Sequence, residues 1–390
     1  MDILNILSFS GLSRPKSGNQ NRFYNLTSQL RNNNNMIILE QETNFDPSDN
    51  EVGKVYTYHD PTILNHEFNI LRDFSLSFIL NIRRILNENE LDLIQIAHPS
   101  GLLAVKIILF FRREKIKIVY DALNVESDFI YDVIDDIELP KLFKCVLPLY
   151  IRFIEYLAVK LADHITCVSE KDEKIFIDRY NIQNKITVIP SGCSIPDNTG
   201  LKKEDIRKKW NIDPHASIIL FHGSFSHPPN REAFGLITNQ IAPHFQKKPQ
   251  IIFLLAGTGL EKFQKFNVRS LGFVEELNEV IKMADVAIVP LKKGGGTKLK
   301  ILDYLGAGLP TITTPKGIEG INATNNENII VIEDLDGMIK SINTLVTDKN
   351  KRNKIGTNAR KLAVEHYDWV KIGSDLNKFY LKLLKENHFD

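Results

Sequence analysis

Short apolar runs alternate with segments of helical periodicity through both halves of the chain, and this alternation constrains the fold most. In the first half, the apolar runs that predict strands are 3–9, 36–39, 92–97, 117–120, 164–168 and 186–189. Apolar residues at helical spacing separate these runs, for example at 19–30 and 102–112. Alternation of this kind predicts a parallel sheet covered by helices on both faces.

The second half repeats the scheme. Its strands are predicted at 217–221, 250–256, 286–289, 311–314 and 329–332, and its helices at 231–244, 275–284, 297–306 and beyond 335. Pro190-Ser191-Gly192 and Pro196-Asp197-Asn198 interrupt the pattern and mark a boundary. We therefore predict an α/β chain of two doubly wound parallel-sheet domains, 1–193 and 194–366, followed by a helical segment at 367–390. Ligands of such sheets bind beyond the carboxyl ends of the strands, so two facing sheets predict an interdomain cleft.

The composition is that of an ordinary globular chain. Its 390 residues are more than one hydrophobic core usually fills, which favours two domains. The 49 Lys and Arg nearly balance the 48 Asp and Glu, so net charge gives no reason to expect nucleic acid as a partner. Cys145, Cys167 and Cys193 form no CxxC pair, which favours a reducing compartment. Without a signal peptide or a membrane span of roughly 18 apolar residues, we expect a cytoplasmic protein.

A glycine triplet followed by two lysines is the most informative motif. Gly294-Gly295-Gly296 follows a predicted strand and leads into a predicted helix that contains Lys298 and Lys300. Glycines let the backbone approach a ligand, and a helix start offers free N–H groups, so the motif suits a pyrophosphate. The alternative is a flexible turn with solvated lysines, in which Lys300 and Asp303 form an ordinary i,i+3 ion pair. Loop geometry alone leaves both interpretations open.

Asp303 favours the ligand interpretation. Eight positions separate it from Gly295, which corresponds to roughly 12 Å along a helix. This distance is about that between the sugar and the ribose of a nucleotide diphosphate sugar. A carboxylate at Asp303 would then accept hydrogen bonds from the ribose hydroxyls.

Around this motif the chain resembles the GT-B glycosyltransferases of family 4. In the second half the blocks that carry the resemblance are Phe221-His222-Gly223-Ser224 with Pro228-Pro229-Asn230, Phe253-Leu254-Leu255-Ala256-Gly257, Leu271-Gly272-Phe273-Val274, Ala284-Asp285-Val286 through Pro290, and Thr314-Pro315-Lys316-Gly317-Ile318-Glu319-Gly320. In the first half they are Ser17-Gly18-Asn19-Gln20-Asn21-Arg22, Asp121-Ala122-Leu123-Asn124-Val125-Glu126-Ser127, and Ala162-Asp163 through Ser169 with Ile189-Pro190-Ser191-Gly192. The blocks occur in the family's order over nearly the whole chain. The resemblance implies two Rossmann-like domains facing across a cleft, with the segment 367–390 crossing back onto the first domain.

The resemblance also implies the site residues. Residues of the glycine-lysine segment would hold the donor's sugar and diphosphate: Gly295, Gly296, Thr297, Lys298, Leu299 and Lys300. Asp303 would bind the ribose, while Gly223 and Ser224 would line the phosphates. The backbone of Phe273 and Val274 would face the base. Gly18 and Arg22 would close the cleft from the first domain.

The chain departs from the family pattern at two positions. Gly295 replaces the first glutamate of the Glu-x7-Glu pair, so Lys298 or Glu319 is the candidate substitute. Leu123 replaces the usual histidine, which leaves Asn124 and Glu126, together with Lys298, as the candidate catalytic residues. For Glu126, the alternative is a carboxylate that caps a helix.

Three other patterns could suggest a dinucleotide site or a metal site, but none of them is interpreted as one. Gly257-Thr258-Gly259 lacks the third glycine of a dinucleotide fingerprint. Asp334-Leu335-Asp336 imitates a metal-binding Asp-x-Asp motif, but its place after a strand and before a helix favours capping. No histidine pair has metal-ligand spacing, so we predict no metal and no cofactor besides the nucleotide diphosphate sugar as co-substrate.

The predicted activity is transfer of a sugar from a nucleotide diphosphate sugar to a glycan or a lipid-linked acceptor. The resemblance implies retention of anomeric configuration, in polysaccharide or glycoconjugate synthesis, without a metal. One alternative is a nucleotide-sugar epimerase or hydrolase of the same fold. Another is a non-catalytic subunit that binds nucleotide sugars or glycans.

A long apolar segment at 142–161 has two interpretations. Basic residues interrupt it at Lys144, Arg152 and Lys160, and the nearby run 109–113 has the same basic and apolar character. The segment is either a core helix with one solvated edge or a peripheral contact with a membrane surface.

Overall fold

The computed structural model describes residues 1–8, 18–42, 53–59, 72–136, 139–197 and 202–386. The chain forms two compact units. Unit 1 comprises Met1–Ser191 and Trp369–Asp390, and unit 2 is the continuous segment Gly192–Asp368. The chain passes from one unit to the other at 191–192 and at 368–369, within two residues of the boundaries predicted at 193–194 and 366–367.

The described residues contain strands and helices in alternation. The strands are β1 (Asp2–Ile6), β2 (Asn35–Gln41), β3 (Lys54–Tyr58), β4 (Leu93–Ala97), β5 (Lys117–Ala122), β6 (His164–Cys167), β7 (Ile186–Val188), β8 (Ser217–His222), β9 (Ile251–Ala256), β10 (Phe263–Lys265), β11 (Val268–Ser270), β12 (Val286–Val289), β13 (Thr311–Thr313) and β14 (Ile330–Val331). The α-helices are α1 (Gly18–Arg31), α2 (Leu76–Glu88), α3 (Leu102–Arg112), α4 (Glu126–Val133), α5 (Lys141–Leu161), α6 (Glu170–Tyr180), α7 (Lys203–Lys209), α8 (Pro228–Leu236), α9 (Leu277–Met283), α10 (Leu299–Gly306), α11 (Leu335–Thr347), α12 (Lys349–His366) and α13 (Trp369–Lys385).

Each unit is built around one seven-stranded sheet. The strand order is β3-β2-β1-β4-β5-β6-β7 in unit 1 and β10-β11-β9-β8-β12-β13-β14 in unit 2. Among the described strands, every pairing of the first sheet is parallel, and in the second only β10 with β11 is antiparallel. The strand order reverses direction beside β1 and again beside β8, as in doubly wound sheets. The predicted fold class is thus confirmed for both units.

Helices cover both faces of the first sheet. On one face α2, α3 and the second half of α5 pack against Leu4, Ile6 and Ile94. On the other, α1 and α13 pack against Ile3 and Val119. A buried polar network joins the second layer to the sheet: the Tyr380 hydroxyl of α13 donates to Gln95, whose amide donates to Asp121.

Some elements differ from the sequence-based expectation. The helix predicted at 231–244 begins at Pro228, where a proline fits because a first-turn N–H needs no helical partner. It ends at Leu236 and continues as a π turn (Ile237–Ile241) and a 3₁₀ turn (Ala242–Phe245). The strands β3, β10 and β11 and the helices α2 and α7 were not predicted, and part of the predicted strand 3–9 lies outside the described residues.

Candidate functional site

The loops after β8 and β12 meet where the second sheet changes direction. These strands are parallel neighbours, with Ala287 opposite Leu220, so their carboxyl ends lie at the same sheet edge. Gly223 follows the end of β8, and the glycine triplet follows β12 and leads into α10. Doubly wound sheets bind ligands at this position.

The glycine triplet forms a turn around the ammonium of Lys298. Gly294 and Gly296 have φ angles of 111° and 59°, which favour glycine. The buried Lys298 Nζ donates to the carbonyls of Gly294, Gly295 and Gly296 at 3.1, 3.1 and 2.6 Å. A trans peptide directs its N–H opposite to its carbonyl, so the next three amides face away from Lys298. Within the described residues, the N–H groups of Gly295, Gly296 and Thr297 make no hydrogen bond, which leaves them available for an anion.

Lys300, rather than Lys298, places its ammonium beside Gly223. Lys300 Nζ donates to Asn230 Oδ1 at 2.6 Å and lies 4.3 Å from the ring centroid of Phe221. A Cβ added at Gly223 would be 2.7 Å from this nitrogen. Burial, with a smaller effect of the Lys298 charge, lowers the pKa of Lys300 to about 7. An anion at this place would stabilise the charged form of the lysine.

Asp303 lies one turn further along α10 and faces His222. Asp303 Oδ2 is 3.7 Å from His222 Nε2, and Asp303 is about one-third exposed. The Tyr304 hydroxyl accepts the His222 backbone N–H and contacts Nδ1 at 2.8 Å. Either Nδ1 or the hydroxyl can be the donor of this second contact, so His222 lies between the Tyr304 hydroxyl and the Asp303 carboxylate. Burial lowers the pKa of His222.

The ion pair between Lys300 and Asp303, which the alternative interpretation of the motif assumed, does not form among the described residues. Within the described residues, the lysine ammonium is bound by Asn230, and Asp303 has its contact with His222 instead. Both side chains project from the first turns of α10 towards the end of β8. The interpretation of this segment as a solvated turn with an ordinary i,i+3 pair is therefore wrong.

The loop after β13 is tied to the loop after β12. The Thr314 hydroxyl donates to the carbonyl of Leu291, and Thr297 donates to the carbonyl of Gly320 at 3.5 Å. Glu319 forms an ion pair with Lys316 at 3.1 Å. Glu319 and the glycine triplet thus belong to neighbouring loops. Glu319 would need this placement to take the role of the family glutamate that Gly295 replaces.

The remaining candidates of unit 2 differ in exposure. The Ser224 hydroxyl contacts that of Ser226 at 2.7 Å. Phe273 is exposed, whereas Val274 and Leu299 are partly buried against the core of unit 2. The resemblance implies a contact between the donor's base and the backbone of Phe273 and Val274, which does not depend on their side chains. Leu299 is the first residue of α10.

In unit 1, Gly18 is the first residue of α1, and Ser17 lies outside the described residues. Arg22 is buried in the same helix. Its guanidinium donates to Asp121 and Ser191 at 3.3 Å and to the carbonyl of Ile189 at 2.9 Å. These bonds give Arg22 a structural role in unit 1, and contact with a donor stays a prediction.

Asn124 and Glu126 lie at the start of α4. Asn124 Nδ2 donates to Glu126 Oε1 at 3.4 Å. Glu126 does not cap the helix: Glu155 of α5 does, because its carboxylate accepts the backbone N–H of Glu126 at 2.6 Å and that of Ser127 at 3.4 Å. The capping interpretation of Glu126 is thus wrong. Burial and the Glu155 charge raise the pKa of Glu126 to about 8, so this carboxyl can hold a proton near neutral pH.

His222, Asn230 and Tyr304 belong to the site but received no role from the sequence. His222 and Asn230 stood within the quoted blocks, next to Gly223 and after two prolines. Tyr304 follows Asp303 directly on α10 and is fully buried. Its position in the sequence does not indicate that its hydroxyl contacts the backbone N–H and the ring of His222 at the end of β8.

The Asp334-Leu335-Asp336 pattern has an outcome. Asp334 is the N-cap of α11 and accepts the backbone N–H of Gly337 at 2.6 Å, which confirms the capping interpretation. In the part of the chain that the structure describes, no three His, Cys, Asp or Glu side chains are grouped as a metal site would need.

Two family models match consecutive parts of the chain. Residues 17–195 match the model described as Glycosyltransferase Family 4, and residues 216–348 match Glycosyl transferases group 1. An uncharacterized protein in the cps region of Klebsiella pneumoniae is 25% identical over 43% of this chain and 47% of its own length. An uncharacterized glycosyltransferase of Methanocaldococcus jannaschii is 22% identical over 60% of this chain and 62% of its own length. The chain thus spans about half to three-fifths of these relatives.

Solved structures share the fold of the whole chain. Sucrose-phosphate synthase from Thermosynechococcus elongatus is 15% identical, with a TM-score of 0.75 over 99% of this chain and 100% of that one. Anabaena HepE in complex with UDP-glucose is 16% identical, with a TM-score of 0.73 over 98% and 100%. The two family models and the shared GT-B fold identify the chain as a group 1 glycosyltransferase of the family 4 type.

Proposed function

We infer that the protein transfers a sugar from a nucleotide diphosphate sugar to a hydroxyl of a glycan or lipid-linked acceptor, with retention of anomeric configuration. The transfer would serve polysaccharide or glycoconjugate synthesis. The proposal needs no bound metal, because lysine and backbone amides would meet the charge of the diphosphate. It also places the protein in the cytoplasm, which fits three free cysteines.

The carrying observation is the convergence of positive groups at the edge where β8 and β12 end. The three unpartnered amides of the glycine loop, the start of α10 and the Lys300 ammonium all belong to one short segment. Each of these groups stabilises an anion. A diphosphate is the ligand that several such groups can bind at once.

The same groups would act on the chemical step. As the bond between the sugar and the diphosphate breaks, negative charge grows on the leaving phosphate. Preorganised amides and an ammonium at that position stabilise the transition state more than the bound donor. Asp303 would hold the ribose and so keep the diphosphate in register with Lys300.

The ligands of similar solved structures indicate which donor to test first. HepE was crystallised with UDP-glucose, with UDP, and with UDP and glucose. A Staphylococcus aureus TarM mutant was crystallised with UDP and α-GlcNAc-glycerol. UDP-sugars are therefore the donors to test first, followed by guanosine and adenosine diphosphate sugars.

The test measures release of the nucleoside diphosphate with and without a panel of glycan and lipid-linked acceptors. Release that depends on an acceptor, together with a new glycoside in the product, supports the proposal. Lys300→Ala should abolish most of this release, while Lys293→Ala, which alters an exposed lysine of the same loop, should not.

Other outcomes would contradict the proposal. Release of the nucleotide without an acceptor would show a hydrolase or an epimerase. Donor binding in a thermal-shift measurement, without release under any condition, would show a non-catalytic binding subunit. Inversion at the anomeric carbon of the product would contradict only the stereochemical part.

A further inference from the structure

Helix α5 carries apolar residues on its solvent side as well as on its buried side. Leu147, Ile151 and Ile154 are buried in unit 1. On the opposite side Leu142, Val146, Leu149, Phe153 and Tyr156 are exposed; we call these five residues the α5 stripe. Their spacing of three or four places them in one row along the helix. A solvent-facing row on a helix is normally polar.

Neighbouring helices extend this surface. α3 contacts both α2 and α5; α2, α3 and the end of α5 at Ala158 and Val159 pack against the same sheet face, whereas Leu147 and Ile151 of α5 pack against α4. The outer sides of α2 and α3 therefore point away from that sheet face. α3 exposes Phe110 and Phe111, the latter by 78%, and α2 exposes Leu76 and Leu80. We call the α5 stripe and these exposed residues of α2 and α3 together the apolar surface of unit 1.

The three helices that carry this surface also contain more basic than acidic residues, although Lys106 of α3 is paired with Asp163. α2, α3 with its capping residue Arg113, and α5 together carry nine Lys and Arg but two Glu, whereas the whole chain has a net charge of +1. Of the two glutamates, Glu88 is paired with Arg84, and Glu155 is buried. Lys141 and Arg152 are exposed on the same helix as the stripe. Glu114, which follows α3, is paired with Arg112.

We propose that this surface binds an anionic lipid bilayer, with α5 lying parallel to the membrane plane. Apolar and aromatic side chains in a row, flanked by Lys and Arg, suit the boundary between headgroups and acyl chains. The stripe runs from residue 142 to residue 156, a length of about 21 Å at 1.5 Å per residue. No described helix has the length and hydropathy to cross a membrane, so binding would be peripheral.

Charge favours a bilayer over a second copy of this chain. Two copies that met through this surface would bring their basic residues together, at an electrostatic cost. Anionic headgroups instead attract each Lys or Arg near the surface. The inference is independent of the proposed transferase activity, because it rests on unit 1 alone.

The test is sedimentation of the full chain with vesicles of phosphatidylcholine, with or without phosphatidylglycerol. The protein should bind the anionic vesicles, and added salt should weaken the binding without abolishing it. The double variant Leu149→Glu and Phe153→Glu should bind at least about tenfold more weakly, because both side chains would enter the bilayer. Both are exposed, so the fold should persist, which circular dichroism checks.

Phe266→Glu is the matched control, because Phe266 is exposed by 74% in unit 2 and lies outside this surface. It should bind vesicles as the unchanged protein does. Absence of binding to anionic vesicles, or equal binding by the double variant, would overturn the proposal. So would a dimer in light scattering that the double variant converts to a monomer, since a second copy would then occupy the surface. Donor binding should be equal in all variants, which separates this test from that of the transferase.

Discussion

Lys300 Nζ lies 2.6 Å from Asn230 Oδ1 and is packed over the ring of Phe221, beside the backbone of Gly223. An amide oxygen holds the ammonium in place but does not neutralise it. The lysine is therefore a positioned and partly desolvated cation at the end of β8. Both its affinity for an anion and its titration follow from this relationship.

Loss of the Lys300 charge should weaken donor binding. Hydrogen bonds to charged groups contribute about 1.5–3 kcal/mol, so Lys300→Ala should raise the Kd for UDP by roughly 10-fold to 150-fold. Isothermal titration calorimetry measures this change. Lys293→Ala should leave the Kd unchanged, and an equal Kd in both variants would remove Lys300 from the diphosphate site.

Donor affinity should depend on pH through the same lysine. The pKa of Lys300 is lowered to about 7 in the free protein, and a bound diphosphate would raise it. Above about pH 7 the protein must then take up a proton on binding, so the Kd for UDP-glucose should rise by up to about tenfold per pH unit.

Calorimetry in two buffers of different ionisation enthalpy measures that proton uptake directly. Lys300→Arg keeps the charge at all these pH values and should bind without proton uptake. Proton uptake that persists in Lys300→Arg would assign the titration to another group.

Removal of the Asp303 charge should weaken binding of the nucleoside part of the donor and leave binding of the phosphates unchanged. If Asp303 accepts from the ribose hydroxyls, Asp303→Asn should raise the Kd for UDP by about tenfold and leave the Kd for pyrophosphate unchanged. Competition binding gives both constants. Asp336→Asn, an exposed carboxylate of α11, is the control. Equal losses for UDP and pyrophosphate would show that Asp303 acts on the phosphates through its neighbours.

Lys298 should act by shaping the glycine loop. Its ammonium donates to three loop carbonyls, so Lys298→Met should free residues 294–296 and lower the NMR order parameters of their backbone amides. Turnover should fall by about tenfold or more, since the amides would no longer be preorganised. Lys292→Met, an exposed neighbour, should change neither. Lower turnover with unchanged order parameters would instead indicate direct contact between Lys298 and the donor.

Glu126 should make stability depend on pH. Its pKa is raised from 4.5 to about 8 in the folded state, so the folded protein holds a proton that the unfolded chain has released. The contribution of Glu126 to the free energy of unfolding is full below about pH 4.5 and is lost as the pH rises through about 8. Glu126→Gln should therefore melt at a higher temperature than the unchanged protein at pH 9, with little difference at pH 4. Asp178→Asn, on the exposed side of α6, should show no such difference.

Much of the fold could be predicted from the sequence, because buried parallel strands are continuous apolar runs. β12 and α3 have the predicted bounds. The short strands β10 and β11 could not be recognised in this way: their three-residue lengths and largely polar sequences are not those of buried strands. The helix predicted at 231–244 changes to a π turn after Leu236 and then to a 3₁₀ turn, in which Pro243 has no N–H to continue an α-helical ladder.

The candidate site could be located from the sequence, but its side-chain roles could not be assigned there. The glycine triplet marked the loop, yet two lysines two positions apart look equivalent in a sequence. The structure separates them: Lys298 turns back onto the loop, and Lys300 faces the end of β8. Partners such as Asn230 and His222 are about 70 and 80 positions away, so only the sheet topology brings them together.

The order of synthesis follows from the position of α13. Unit 2 is one continuous segment, whereas unit 1 needs Trp369, Ile372 and Tyr380 to cover Ile3 and Val119 of its sheet. A ribosome completes unit 2 before it translates α13. The half of the protein that is begun first is therefore finished last, and its sheet waits for that cover while unit 2 is being made.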